Sequence, residues 1–161
     1  MTDSYITVRF IRTHGFIGKA ISYWTDSLFD HAEFGTPEGT WIGAHARSGV
    51  QERSANYCAP FRDYTYHIPC SVQKRNELLA WARSKIGTRY NFRDIVGLLI
   101  HNRTLTNPNR LICSQFVCEG LLTVFGAKRV LNVLPDFTYL VTPETMHLSP
   151  IFVGNLYSRN G

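Results

Sequence analysis

The chain has 161 residues, enough for one domain with a hydrophobic core and too few for two domains of ordinary size. Apolar residues make up 44% and charged residues 18%, a balance that excludes a disordered chain. The formal net charge of +5 is not concentrated in runs of like charge, so it does not by itself indicate a nucleic-acid partner. No signal peptide and no apolar run of membrane-spanning length is visible, so we expect synthesis in the cytoplasm.

Hydrophobic spacing predicts the following elements in chain order. Residues 5–11 are β-branched and aromatic, as in a strand, and residues 15–28 have helical spacing. The segments HAEF and WIGAHA flank the turn sequence GTPEGT, which predicts a β-hairpin. Further strands are predicted at 49–52 and 65–68, and helices at 71–86 (with Ile86 on the buried stripe), 92–100 and 112–125. This order indicates the α+β class.

Two of the four cysteines lie in the segment LICSQFVCEG, within the predicted helix 112–125. Cys113 follows a polar loop and should lie in the first turn, where the positive end of the helix dipole stabilises a thiolate. Cys118 lies about 140° further round the helix, so the two sulfur atoms cannot face one site. The pattern favours a buried, inert thiol for Cys118, and it leaves a nucleophile and a core residue as alternatives for Cys113. No C-x-x-C pair is present, which argues against a structural zinc site.

The predicted hairpin supplies a base for such a thiol, since a nucleophilic cysteine usually relies on a nearby histidine. His31 begins the first hairpin strand and His45 ends the second, which places their Cβ atoms about 5 Å apart. Glu33 lies on the same face as His31 because strand side chains alternate. The hairpin thus predicts a cluster of two imidazoles and a carboxylate, which suits a base and its orienting partner. Solvated surface residues are the alternative.

Four segments together have a recognisable order and spacing: HAEFGTPEGTWIGAHARSGVQ, KIGTRYNFRDIVGLL, ICSQFVCEGL and TPETMHLSP. They resemble circularly permuted NlpC-type papain-like cysteine hydrolases, in particular the YiiX-like branch of bacteria and bacteriophages. In that branch, as here, the histidine strand precedes the cysteine helix. The resemblance covers residues 8–150. It implies one domain over residues 1–161, with a small antiparallel sheet or half-barrel packed on helices and the nucleophile at a helix N-terminus.

The resemblance also implies roles for individual residues. Cys113, in C-S-Q-F-V, corresponds to the nucleophile, and His31, in H-A-E-F, corresponds to the general base. Tyr90, in G-T-R-Y, corresponds to a tyrosine near the site that donates a hydrogen bond to the developing oxyanion. Simple packing is the alternative for this tyrosine.

The third catalytic position departs from the pattern of the branch. Its members often have a glutamate on the second hairpin strand, just before an alanine, where this chain has Gly43. The orienting role therefore passes to Glu33, to His45, or to no residue.

The resemblance implies a hydrolase that cleaves an amide bond through a thioester, without a cofactor or metal. The expected substrate is a stem peptide of peptidoglycan, cut by an enzyme of phage or bacterial origin, and a basic chain would approach an anionic cell wall favourably. The expected partners are this or another amide or ester substrate and virion proteins, and no nucleic acid. Delivery to the virion or the cell wall would follow synthesis.

Three alternatives remain at this stage. The chain could be a non-catalytic binding module or a structural module of a virion on the same fold. It could also hydrolyse or transfer lipid and acyl esters. Finally, His31, Glu33 and His45 could together bind a metal ion.

Overall fold

The computed structural model describes residues 4–14, 23, 28–90, 110–126, 130 and 141–160. These residues form eight strands, three α-helices and one 3-10 helix. In chain order the elements are β1 (Ser4–Arg12), β2 (His31–Gly35), β3 (Trp41–His45), β4 (Gly49–Arg53), β5 (Arg62–Cys70), α1 (Val72–Ser84), β6 (Arg89–Tyr90), β7 (Arg110–Leu111), α2 (Cys113–Phe125), α3 (Pro143–His147), the 3-10 helix (Pro150–Phe152) and β8 (Leu156–Asn160). The mixed α/β architecture with an antiparallel main sheet confirms the predicted class at this level.

The main sheet has six antiparallel strands in the order β4-β3-β2-β1-β5-β8. It is larger than the small sheet that the sequence suggested, since the C-terminal β8 adds a strand that no pattern predicted. Side chains alternate along β1, so Val8 and Phe10 enter the apolar core while Arg9 points to the opposite face. The register places His31 and Glu33 on the face that carries Arg9.

Helices α1 and α2 pack together and against the apolar face of the sheet. Ser71 caps α1 by accepting a hydrogen bond from the backbone N–H of Lys74. The prediction that Ile86 lies on the buried stripe of this helix is wrong. The helix ends at Ser84, the chain turns at Gly87 with a φ of 92°, and Ile86 is 46% exposed.

Two predicted helices lie outside the described part of the chain: 92–100 completely, and 15–28 except for its last residue and residue 23. None of the described helices has both the length and the apolar character needed to cross a membrane. The fold is therefore defined by the sheet, by α1 and α2, and by the C-terminal elements from residue 141.

Gly120 marks the closest approach of α2 to the sheet. A Cβ at this position would lie 2.8 Å from the ring of Phe34 in β2 and 2.8 Å from Trp81 in α1. Both rings also contact Phe116, so they cannot withdraw without disturbing the core. The absence of a side chain at Gly120 thus sets the distance between α2 and β2, the two elements that begin with Cys113 and His31.

We predict that Gly120→Ala lowers the free energy of unfolding. Alanine gains about 1 kcal/mol in helix propensity, but over-packing of a tight core costs about 1–3 kcal/mol. Urea denaturation measures the difference, and Thr123→Ala on the exposed side of the same helix is the matched control. A Gly120→Ala protein about 1 kcal/mol more stable than the wild type, as helix propensity alone would give, would contradict this packing account.

Candidate active site

The N-terminus of α2 meets the start of β2, and this contact brings the predicted nucleophile to the predicted base. Cys113 is the first residue of the helix, and the preceding Ile112 provides no side-chain cap. The Cys113 Sγ lies 3.8 Å from the backbone carbonyl oxygen of Asp30, the residue before His31. The positive end of the helix is therefore directed toward the sulfur, as the sequence predicted.

Hydrogen bonds of both its backbone N–H and its carboxylate hold Asp30 in place. Its backbone N–H donates to the carbonyl oxygen of Ile11, and its carboxylate accepts hydrogen bonds from the N–H and the hydroxyl of Thr13 at 2.9 and 3.0 Å. The nearby Leu28 N–H donates to Glu144 Oε2 in α3 at 2.9 Å. The backbone that leads into His31 is consequently held to β1 and to the C-terminal part of the chain.

Tyr90 reaches the same site through the short parallel pair of β6 and β7. Tyr90 pairs with Leu111, two residues before Cys113, and its side chain is buried. Hydrogen bonds between Val50 and the segment Gly87–Thr88 hold β6 against β4. Burial and the adjacent Cys113 raise the pKa of Tyr90 well above its usual value, so its hydroxyl remains a hydrogen-bond donor.

His31 interacts with both Cys113 and Glu33. Its Nε2 lies 3.4 Å from Glu33 Oε2, which leaves Nδ1 for the thiol. Burial alone would lower the pKa of His31, but the hydrogen bonds and charges of Cys113 and Glu33 raise it to about 10. Burial opposes ionisation of Glu33 as well, yet His31 and Arg9 lower its pKa to about 2. The contacts of His31 therefore favour a protonated imidazole beside the ionised carboxylate of Glu33.

The carboxylate of Glu33 is completely buried and has two further partners that the sequence did not predict. Arg9 donates from Nε to Oε1 at 2.9 Å and also from Nη2, and Tyr57 donates to Oε2 at 2.8 Å. The guanidinium of Arg9 stacks on Trp41, with its carbon atom 3.9 Å from the ring centroid, and its Nη1 lies 3.6 Å from Asp63. Glu33 is thereby held in one position beside the imidazole.

Gly43 lies opposite Glu33 in the hairpin register. A Cβ at Gly43 would be 2.9 Å from the Cβ of Glu33, 3.2 Å from His31 Nε2 and 3.4 Å from Glu33 Oε2. The space that a side chain at position 43 would occupy is thus filled by the imidazole and the carboxylate. Position 43 in β3 has no carboxylate, and Glu33 in the neighbouring strand β2 brings one to His31 instead.

His45 completes the cluster that the hairpin predicted. Its ring centroid lies 4.7 Å from that of His31 and 5.4 Å from that of Tyr57. Burial, together with the positive charges of His31 and Arg53, lowers the pKa of His45 to about 3, so it is neutral at physiological pH. Its buried Nε2 has no hydrogen-bond partner within the described residues. Of the two candidates for orienting His31, the charged Glu33 makes the closer polar contact.

Cys118 and the remaining histidines of the described residues lie outside this cluster. Cys118 is fully buried, and burial followed by the charge of Glu119 raises its pKa to about 12. His14 is exposed, and His67 in β5 stacks between the rings of Tyr5 in β1 and Tyr157 in β8. His147 lies among aromatic rings and contacts the Tyr66 hydroxyl, while His101 is outside the described residues.

Comparison with known proteins places this fold beside one solved structure. The crystal structure of the metalloprotein YiiX from Escherichia coli O157:H7 (DUF1105) superposes with a TM-score of 0.59 at 15% identity, over 100% of this chain and 98% of that one. No protein-family model and no curated protein matches the chain. The chain therefore has a YiiX-like mixed α/β fold, and the likeness extends over its whole length.

Because that neighbour is named a metalloprotein, we tested whether the site fits a metal ion. His31, Glu33 and His45 offer ligand atoms within 4.8 Å of one another, His31 Nε2 has the 3.4 Å contact with Glu33, and His45 Nε2 has no hydrogen-bond partner in the described residues. However, both oxygens of Glu33 already accept hydrogen bonds, and the guanidinium of Arg9 is in direct contact with the carboxylate. A fixed positive charge there repels a cation. The three residues therefore do not fit a resident metal ion.

We predict that His31 remains protonated at pH 8 and that this depends on the charge of Glu33. In Glu33→Gln the pKa of the imidazole should fall, because the carboxylate that stabilises the imidazolium is lost. Tyr57→Phe keeps the carboxylate and removes one hydrogen bond, so it should shift the pKa less. Imidazole chemical shifts followed by NMR against pH measure all three proteins. A neutral His31 at pH 8 in the wild type, or equal titrations of wild type and Glu33→Gln, would contradict this electrostatic account.

Proposed function

We propose that the chain is a cysteine hydrolase of the circularly permuted NlpC-type papain-like class. The observation that carries the proposal is the sequence of contacts from Cys113 to His31 to Glu33 at the uncapped N-terminus of α2. A thiol, an imidazole and a buried carboxylate in this order form the arrangement that nucleophilic catalysis requires. The YiiX-like fold is compatible with this class and does not by itself establish the activity.

The mechanism follows from the positions of these groups. His31 holds the proton of the Cys113–His31 pair, and the Cys113 sulfur attacks the carbonyl carbon of an amide. The Tyr90 hydroxyl and the N–H groups at the start of α2, which the side chain of Ile112 does not cap, can donate hydrogen bonds to the developing oxyanion. The His31 imidazolium then protonates the leaving amine, and a thioester remains. The neutral His31 finally takes a proton from water, which attacks the thioester; the acid leaves, and the sulfur and the protonated His31 return to their starting states.

Glu33 acts in this scheme as the residue that orients His31. Its contact with Nε2 leaves Nδ1 for the thiol, and its charge stabilises the imidazolium that is present at the start of the reaction and forms again when water attacks. The carboxylate at position 33 also supports a catalytic role in a chain that has Gly43 where the resemblance calls for a glutamate.

The substrate that we propose is a stem peptide of peptidoglycan, with delivery through a virion or to the cell wall. The positive net charge of +5 favours approach to an anionic wall. Lipid esters and acyl transfer are the second class of reaction, since a thioester can pass its acyl group to acceptors other than water.

The test is a panel of purified peptidoglycan, isopeptides and model acyl esters, incubated with wild type and Cys113→Ala. We expect amide cleavage in peptidoglycan that falls by roughly 10³-fold or more without the nucleophile. Cys118→Ala and Cys58→Ala are matched controls and should retain activity. Cleavage of no panel member above the Cys113→Ala background would contradict the proposal. So would an activity that survives in Cys113→Ala but is abolished by a chelator, as expected of a metal site.

A further inference from the structure

Arg53 is a fixed cation on the catalytic face of the sheet. Its Nη2 donates to Ser48 Oγ at 2.8 Å and to Gln51 Oε1 at 3.2 Å, and its guanidinium carbon lies 5.2 Å from the centroid of the Tyr57 ring. All of these partners are neutral. Among the residues that the structure describes, no carboxylate forms an ion pair with Arg53. Neutral hydrogen-bond partners therefore hold the guanidinium in place, and no carboxylate of the described residues neutralises its charge.

His45 places a second polar group beside this cation. Tyr57 contacts both residues: its ring centroid lies 5.4 Å from that of His45 and 5.2 Å from the guanidinium carbon of Arg53. After burial and the charge of His31, the charge of Arg53 also lowers the pKa of His45. His45 is only 9% exposed, and its buried Nε2 has no partner within the described residues. A buried nitrogen without a partner costs free energy, and a bound ligand would relieve this cost.

We propose that His45 and Arg53 together form a subsite for a carboxylate of the substrate, close to the scissile bond. The inference rests on the proposed hydrolase function and specifies its substrate. A neutral imidazole can present an N–H, and a guanidinium offers a planar pair of donors, so both suit a carboxylate. Because His45 contacts His31, the subsite adjoins the catalytic groups.

The charges around the subsite favour an anion over other ligands. On the same face Arg9 and the protonated His31 are paired with the carboxylates of Glu33 and Asp63, so Arg53 is the cation that has no carboxylate partner among the described residues. A neutral lipid ester would leave both the Arg53 charge and the His45 Nε2 without partners. The subsite therefore favours peptides with a free carboxylate next to the cleaved amide over neutral acyl esters.

The experiment uses alkylation of Cys113 by bromoacetyl-glycine and by bromoacetyl-glycinamide, which differ only in the terminal carboxylate. In both reactions the sulfur displaces bromide and forms a thioether, so no hydrolysis is needed. We expect the wild type to react about tenfold faster with the carboxylate, from its charged hydrogen bonds. The preference should fall close to parity in Arg53→Gln and be partly kept in Arg53→Lys. Lys74→Gln, the same charge change on α1, should leave it unchanged.

The outcomes separate the subsite from the proposed function. Fast reaction of Cys113 with equal rates for the two probes, or a preference that Arg53→Gln does not reduce, overturns the subsite while the nucleophile stands. Slow reaction with both probes, no faster than that of Cys118, overturns the subsite together with the hydrolase. Faster reaction with bromoacetyl-aminomethylphosphonate than with bromoacetyl-glycine contradicts a carboxylate ligand and indicates a phosphate-bearing substrate.

Discussion

The buried carboxylate of Glu33 determines how the rest of the site is built. A carboxylate with no exposed surface is strongly destabilising unless charged and polar partners compensate for the water it loses. Arg9, Tyr57 and His31 supply those partners from three different segments of the chain. Removal of one partner from such a buried pair typically costs about 3–5 kcal/mol. The network therefore fixes the imidazole, and it also ties β1, the hairpin and the loop after β4 together.

The nucleophile is supplied by the opposite face of the sheet. Helix α2 packs on the apolar face through Phe116 and Gly120, and its N-terminus extends to the start of β2. Cys113 thus meets His31 at the end of the strand, where a side chain from the polar face can reach the helix terminus. Asp30 secures this junction through its carbonyl oxygen and its hydrogen bonds to β1. The packing that holds α2 against the sheet therefore also fixes the position of the Cys113 sulfur.

The sequence predicted the parts of this arrangement that depend on local spacing. Alternation along the hairpin was enough to place His31, Glu33 and His45 together, and the loop before α2 placed Cys113 in its first turn. It did not reveal Arg9 or Tyr57 as partners of Glu33, because their contacts depend on strand pairing and on a loop without periodicity. One signal for Arg9 existed, a charged residue inside an otherwise apolar strand.

Two other features needed the tertiary structure. That the carboxylate of Glu33 lies beside the space left by Gly43 becomes visible only when the register pairs Gly43 with Glu33. Strand β8 lies at the edge of the sheet and is largely exposed, so its residues show no buried alternation from which it could be predicted.

The central claim, that the Cys113 sulfur is activated by the imidazole of His31, is tested most directly by the rate at which iodoacetamide alkylates Cys113 at neutral pH. Mass spectrometry of the labelled peptides gives this rate in wild type and in His31→Ala, with the buried Cys118 of the same molecules as an internal reference. The account predicts that Cys113 reacts far faster than Cys118 and that this advantage falls at least about tenfold in His31→Ala. Equal, slow labelling of both cysteines in the wild type, or a Cys113 rate unaffected by His31→Ala, would contradict it.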